Sequence, residues 1–266
     1  MSRLDNAIHE LNHIEDVAGR DQWVNNIHPL VKLALTIIYI IIVVSFGKYN
    51  LSGLIGMAVY PAAVFILAEL SFKDSLKRLK VVLPFVCIVG IFNPFFDRIP
   101  IYNIGSFTVT TGMISMLTLV IKGVFSVLAS YLLIAITTIE EICFALRLIH
   151  VPSIIVTQVM LMYRYISMLI GEVERITKAY SLRAPGQKGI HFKVWGSLVG
   201  QLLLRSMDKA EAVYESMCLR GFNGNFYYSE KHKFVMSDII YFAVWLIILL
   251  VFRFVPIVRA FGYIFG

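Results

Sequence analysis

Long apolar blocks alternate with short polar segments over the first half of this chain and return near its end. An α-helix rises about 1.5 Å per residue, so roughly 20 apolar residues cross the hydrocarbon core of a bilayer. The pattern therefore predicts five membrane-spanning helices, at residues 33–46, 50–68, 81–96, 113–138 and 234–252. Within the second block, Pro61 predicts a kink, because proline cannot donate the backbone hydrogen bond of a helix.

The polar segments between the blocks predict the topology. Residues 71–80 form the most basic short loop of the chain, with cations at Lys73, Lys77, Arg78 and Lys80. We expect this loop inside the cell, since positive charge concentrates on the cytoplasmic side of membrane proteins. Residues 97–112 contain Pro, Asn and Gly residues that interrupt a helix, and they predict an outside loop. Five spans then place the amino terminus inside and the carboxyl terminus outside.

Residues 139–233 show regularly spaced charges, with no stretch both long and uncharged enough to cross a membrane. This pattern predicts a helical domain at the cytoplasmic face. The predicted fold class is therefore all-α, a polytopic integral membrane protein with about five spans and long amphipathic cytoplasmic helices. The predicted division is 1–138 for the leader and four spans, 139–233 for the cytoplasmic helices, and 234–266 for the last span and tail.

Two long amphipathic helices are predicted within the cytoplasmic domain, because apolar residues recur there at steps of three and four. The first extends over about 152–184 and the second over about 195–220. Each has a stop signal. Pro185 and Gly186 follow the first helix, and Gly221 follows the second at the position where glycine most easily adopts a left-handed cap.

The two helices end in similar triplets, Leu182-Arg183-Ala184 and Leu219-Arg220-Gly221. A cation near a helix carboxyl end is favoured by the helix dipole, typically by about 0.3–1 kcal/mol, and this explains a single arginine. Two arginines in matched endings favour a second interpretation. Because guanidinium presents a rigid fork of donors to carboxylates and carbonyls, we expect both ends to dock into partner proteins.

Composition agrees with a membrane protein and disfavours other classes. The 266 residues are 58% hydrophobic and only 15% charged, with a mean hydropathy of +0.77, which is more apolar surface than one soluble core buries. The net charge of +7 arises from basic residues near the spans, so we expect lipid and not nucleic acid as a partner. The first span follows a polar leader of about 30 residues, which does not fit a cleaved signal peptide.

The cysteines predict no special chemistry. Cys87, Cys143 and Cys218 lie far apart and contain no C-x-x-C pattern, so neither a disulfide nor a zinc site is expected. The chain also has no G-x-x-x-x-G-K-[ST] phosphate-binding motif. We therefore expect a protein that is not an enzyme, does not hydrolyse ATP by that route, and holds no cofactor or metal.

Several stretches together resemble the transmembrane (T) component of energy-coupling factor transporters, in particular the CbiQ-type proteins of the cobalt and nickel branch. The most specific stretch is the Glu-Ser-Met-x-x-Arg-Gly-Phe ending at 215–222. The other stretches are 28-HPLVKLAL-35, 91-IFNPFFDR-98 and 172-EVERITKAYSLRAPG-186. The likeness covers nearly the whole chain.

This resemblance implies a scaffold that transmits energy in the inner or plasma membrane. In that family two coupling helices cross, and an Ala-Arg-Gly motif at the end of each docks into one of two ATP-binding cassette ATPase subunits. Here the arginines match, Leu replaces Ala in both triplets, and Ala184 replaces Gly in the first. A membrane subunit that binds the substrate and, in some members, a small accessory membrane protein are the further partners implied. The implied cargo is cobalt or nickel, with a vitamin as the alternative.

Two further features keep other interpretations open. His9-Glu10-x-x-His13 matches the zinc-peptidase signature, which makes a membrane-bound metallopeptidase the alternative function, although a third ligand is not evident. Lys122 is a lone ionisable residue within the fourth span, for which we expect a structural or subunit-contact role. A channel or transporter acting alone would need more polar residues converging at mid-membrane than Lys122 and a few Ser and Thr.

Overall fold

The computed structural model describes residues 18–19, 22–70, 72–96, 100–104, 107–187, 189–224 and 234–254. The chain divides into two compact units. We call the first the bundle unit, which comprises the described parts of 16–138 and 231–266. The second is the long-helix unit, which comprises the described part of 139–230.

The two units are built mainly of helices, and this confirms the all-α class. The bundle unit contains α1 (Pro29–Ser45), α2 (Leu51–Gly56), α3 (Val59–Leu67), α4 (Phe72–Ile91), α5 (Asn93–Phe96), β1 (Pro100–Ile104), β2 (Phe107–Thr110), α6 (Thr111–Ile136) and α10 (Met236–Phe254). The long-helix unit contains α7 (Ile139–Leu148), α8 (Ser153–Arg183) and α9 (Phe192–Leu219).

The core of the bundle unit forms around α1 and α6. Helix α6 contacts each of the helices α1 to α5, while α10 packs on α1 and α2. Along α1 the buried apolar side chains recur every fourth residue, which places them on one face; they are Val31, Leu35, Tyr39 and Val43. The Tyr60 ring lies 4.7 Å from that of Tyr39 and meets Trp245 edge to face at 5.0 Å.

The predicted second span is two helices with a break between them. The break falls at Met57 and Ala58, whose N–H groups donate to carbonyls three residues earlier. Pro61, the third residue of α3, lies one turn further along the chain. Because proline has no N–H, it cannot donate to the Met57 carbonyl four residues earlier, and that carbonyl instead accepts a hydrogen bond from the Tyr39 hydroxyl at 3.0 Å. The kink predicted from Pro61 is therefore present, one turn before the proline.

Two predicted loops are ordered elements. The basic segment 71–80 is not a loop, because α4 begins at Phe72 and includes it; lysine, arginine and leucine all favour helix. The predicted outside loop at 97–112 contains an antiparallel hairpin, in which Asn103 of β1 lies opposite Thr108 of β2. The Pro, Asn and Gly residues correctly predicted that this segment is not helical throughout. Residue type alone, however, does not show that β1 pairs with β2.

Three helices within the described residues are long and apolar enough to cross a membrane: Thr111–Ile136, Ser153–Arg183 and Met236–Phe254. Two shorter apolar helical stretches are Pro29–Ser45, which is α1, and Gly53–Leu67, which includes most of α2 and all of α3. The first and third long helices match the predicted fourth and fifth spans. The second corrects the expectation that 139–233 lacks any such stretch, because residues 153–171 contain Arg164 as their single charge.

The long-helix unit buries little of its surface. In α8 the buried residues are Val156, Glu172 and Ile176, and α9 has none. The predicted apolar sides of both helices are only partly covered: they include buried Ile176 in α8, half-buried Val213 in α9, and Leu203 of α9, which is 59% exposed. Helix α9 begins three residues before the predicted Trp195, since the His191 ring accepts a hydrogen bond from the Lys193 N–H and caps the helix there.

Candidate docking site

The carboxyl end of α9 is closed by a Schellman motif. Gly221 has φ +82°, its N–H donates to the Cys218 carbonyl at 3.0 Å, and the Phe222 N–H donates to the Met217 carbonyl at 3.0 Å. These are the two backbone hydrogen bonds that define the motif. The prediction that Gly221 forms a left-handed cap is confirmed, and Arg220 lies at the last position before that turn.

The carboxyl end of α8 is closed differently. The N–H of Ala184 donates to the Tyr180 carbonyl at 3.1 Å, and the Gln187 N–H donates to the Ala184 carbonyl at 3.3 Å. The Tyr180 hydroxyl donates to the side-chain oxygen of Gln187 at 2.7 Å. Gly186, with φ +93°, provides the left-handed residue of this turn. The predicted stop at Pro185 and Gly186 is therefore confirmed.

The two triplets occupy different positions relative to their helix ends. Arg183 is the last helical residue of α8, with Ala184 as the cap, whereas Arg220 is itself the cap of α9. The left-handed residue directly follows Arg220 but lies three positions after Arg183. Glycine at 221 and alanine at 184 account for this difference, because alanine avoids the left-handed region.

Both ends present the same kind of surface. Leu182 is 83% exposed and Leu219 is 90% exposed, and both Arg183 and Arg220 are exposed. No other described residue forms a hydrogen bond or an ion pair with either guanidinium. Each helix end therefore offers one large apolar side chain beside one unpaired cation, within the part of the chain that the structure describes.

An ionic cluster joins α8 to α9, and the sequence patterns did not predict it. The Glu172 side chain of α8 is only 5% exposed. One carboxylate oxygen accepts a hydrogen bond from the Arg205 guanidinium, and the other lies 3.3 Å from Lys209 Nζ. Arg175, one turn along α8, approaches the second oxygen at 3.5 Å. The one signal in the sequence was the i, i+4 pair of cations, Arg205 and Lys209, on one side of α9.

Lys122 is paired with backbone in the bundle unit. Its ammonium donates to the Val44 carbonyl at 3.0 Å and to the Phe46 carbonyl. From α10, Arg253 donates to the backbone and side-chain oxygens of Ser45, each at 3.2 Å. Both cations thus lie at the carboxyl end of α1, where the helix dipole favours positive charge.

The zinc-peptidase signature at His9, Glu10 and His13 lies outside the described residues. Among the residues that are described, no group of three or more His, Cys, Asp and Glu side chains could hold a metal ion.

Comparison with known proteins identifies relatives. The chain is 25% identical over 227 residues to an uncharacterized protein of Methanocaldococcus jannaschii, covering 80% of this chain and 76% of that protein. It is 28% identical over 158 residues to a protein described as a fused cobalt transport protein, CbiMQ, in Methanocorpusculum labreanum. That match covers 58% of this chain and 26% of the longer fused protein.

The model of the CbiQ family, described as a cobalt transport protein, matches residues 20–234. This range includes the carboxyl ends of α8 and α9, the ionic cluster around Glu172, and every described element except α10. The match confirms the resemblance drawn from the sequence, including the membrane and cobalt-transport character that it implies. The chain therefore belongs to the CbiQ family of cobalt transport proteins.

Proposed function

We propose that this chain is the energy-coupling scaffold of an ATP-driven uptake system, in which Arg183 and Arg220 dock into two ATP-binding cassette ATPase subunits. One observation carries the proposal. Two long helices end in a nearly fully exposed leucine next to an exposed arginine that has no partner among the described residues.

The chemistry of these ends suits insertion into a socket. Burying an exposed leucine contributes about 1.5–3 kcal/mol, so a partner with an apolar wall would gain from covering Leu182 or Leu219. A carboxylate or a set of carbonyls at the base of the socket would accept the forked donors of the arginine. The sharp turns after both helices leave these side chains accessible, because the chain leaves the helix axis directly beyond them.

The bundle unit supplies the membrane part of the proposed function. We infer that it lies in the inner or plasma membrane as a multi-pass protein, with the amino terminus and the long-helix unit on the cytoplasmic side. A membrane subunit that binds the substrate is the second partner, and a small accessory membrane subunit is a third. The description of the family, and the name of the fused relative, support cobalt as the ion, with nickel as its chemical neighbour.

Capture of the ATPase subunits tests this proposal. The chain is co-expressed with the ATPase subunits of its own host and purified through a tag on the chain. Removing one member of a charge pair that is buried at an interface costs about 2–5 kcal/mol. We therefore expect Arg220→Glu to reduce the captured ATPase at least tenfold, and Arg183→Glu to have an equal or smaller effect.

A matched control is Lys48→Glu, which makes the same change of charge at an exposed cation of the bundle unit, in the turn after α1. This variant should capture as much ATPase as the wild-type chain. Full capture by the double variant Arg183→Glu, Arg220→Glu would refute the docking role of both ends.

A further inference from the structure

We propose that Glu172 is a positioning residue, whose carboxylate fixes the contact between α8 and α9 and thereby sets the position of Arg220 relative to Arg183. The consequence for transport rests on the proposed function, because the spacing of two ends matters only when both must meet their sockets together.

Glu172 is placed for this role by its burial and its partners. A carboxylate that is almost removed from water is stabilised only when it is paired, and here the strongest partner, Arg205, comes from the other helix. Lys209 adds a second contact from α9 at 3.3 Å. Arg175, which lies on α8 itself, is the third cation near this carboxylate, at 3.5 Å. The Glu172 carboxylate thus pairs with cations from both helices.

Little else in the described residues holds α9 against α8. No side chain of α9 is buried, so hydrophobic burial contributes little to the angle between the two helices. A second polar contact lies at the connection between them, where the His191 N–H approaches the Tyr180 hydroxyl at 3.5 Å. That contact fixes the turn but lies at the beginning of α9. The direction of the helix beyond the turn therefore depends on the Glu172 cluster.

The cluster lies well back from both ends. Glu172 precedes Arg183 by 11 residues, and its partners Arg205 and Lys209 precede Arg220 by 15 and 11 residues. At about 1.5 Å per residue, the arms are about 17–22 Å long. The arms leave the cluster in opposite senses, because α8 continues toward the connection and α9 continues away from it. A change of about 15–20° in the crossing angle, the usual scatter between packed helices, moves the end of such an arm by about 5 Å.

The distance between two spin labels in the purified full-length chain tests the proposal. One label is placed on Cys218, which is exposed, and the other on Gln158→Cys, also at an exposed position. Gln158 precedes Glu172 in α8, and α9 continues toward that part of α8 beyond the cluster, so the distance between these two labels follows the crossing angle. The other two cysteines are removed by Cys87→Ser and Cys143→Ala. The background with Glu172 intact should give one narrow distance distribution. With Glu172→Gln, we expect the distribution to broaden or shift by about 5 Å, because the crossing angle is released.

Two variants separate positioning from a general loss of structure. Arg205→Gln removes the main partner from the opposite helix and should reproduce the effect of Glu172→Gln. Glu174→Gln is the matched control, since Glu174 pairs with Lys178 of its own helix at 2.7 Å, and it should leave the distribution unchanged.

A distribution that stays narrow and unshifted in both Glu172→Gln and Arg205→Gln would overturn the proposal. The measurement is independent of the proposed function, since it uses the chain without partners. If the label distances change as expected but the wild-type chain captures no ATPase subunit, the docking function fails and the positioning role of Glu172 stands.

Discussion

At the scale of the single residue, the carboxyl ends of α8 and α9 combine an exposed leucine with an exposed arginine. Leu219 is 90% exposed although it is the last residue of a well-formed helix, and the adjacent Arg220 extends into solvent from the cap position. The turn that presents them depends on Gly221, because φ +82° is strained for any residue with a Cβ atom. The exposure of the leucine is costly in isolation, and a partner surface would offset it.

Gly221→Ala should loosen this turn without changing the charge of the docking end. A non-glycine residue in the left-handed region costs roughly 1–2 kcal/mol, so the last turn of α9 should open more often. The backbone amides of residues 221 and 222 make the two Schellman hydrogen bonds. We expect their hydrogen exchange to be at least about fivefold faster in the variant than in the wild-type chain. Mass spectrometry of peptides covering 217–224 measures this.

Gly200→Ala is the matched control for that experiment. Gly200 lies inside α9 with ordinary helical backbone and open space around the position of a Cβ atom. Alanine there should stabilise the helix by about 0.8–1 kcal/mol and slow exchange. Equal exchange in Gly221→Ala and wild type would contradict the assigned role of the turn.

The residues of the docking ends were largely predictable from the sequence, because helix stops are local. Pro185, Gly186 and Gly221 act through their own backbone preferences, and the structure places each helix end within one residue of the prediction. Glu172 was not predictable in the same way. Its partners Arg205 and Lys209 lie 33 and 37 residues away, and only the folded arrangement brings them together.

At the scale of the element, the carboxyl end of α1 shows how the bundle unit accommodates cations. Lys122 of α6 and Arg253 of α10 reach three successive residues, Val44, Ser45 and Phe46, whose carbonyls have no partner within the helix. The guanidinium of Arg253 also lies 4.5 Å from the centre of the Phe46 ring. This arrangement accounts for Lys122 by helix capping and agrees with the structural role expected for it.

Lys122→Met should destabilise the bundle unit. The change leaves the carbonyls of Val44 and Phe46 without the ammonium that they share, and a hydrogen bond to a charged group contributes about 1.5–3 kcal/mol. We expect a lower midpoint of thermal unfolding for the purified chain in detergent. Lys48→Met provides the comparison, since Lys48 lies exposed in the turn just after α1. Equal midpoints for the two variants would show that Lys122 does not hold the end of α1.

The elements were predicted unevenly, and each error has a physical cause. The helix at 153–183 was found from its period and its stop, but its first 19 residues proved apolar enough to cross a membrane. The break before α3 occurs at Met57 and Ala58, one turn before Pro61, because proline has no N–H to donate to the carbonyl four residues earlier and its ring crowds that carbonyl. The hairpin of β1 and β2 depends on pairing between segments, which periodicity does not reveal.

At the scale of the whole molecule, the two units of the chain differ in how many residues they bury. The bundle unit has a packed core of apolar and aromatic side chains around α1 and α6. The long-helix unit buries few residues; its exposed leucines and arginines lie at the carboxyl ends of α8 and α9, whereas Glu172 is buried between these helices. This division suits the proposed scaffold, in which the bundle unit lies in the membrane and the long-helix unit meets other proteins.

Site-specific photo-crosslinking in the assembled transporter tests the central claim most directly. A photoreactive amino acid replaces Leu182 or Leu219 in the chain, which is co-expressed with its ATPase subunits, and a third version carries it at Ile41. Ile41 is 61% exposed but lies in α1 of the bundle unit, away from both helix ends in the sequence. We expect crosslinks to the ATPase from positions 182 and 219 and none from 41. Absence of crosslinks from both helix ends in a complex that hydrolyses ATP and transports cobalt would contradict that claim.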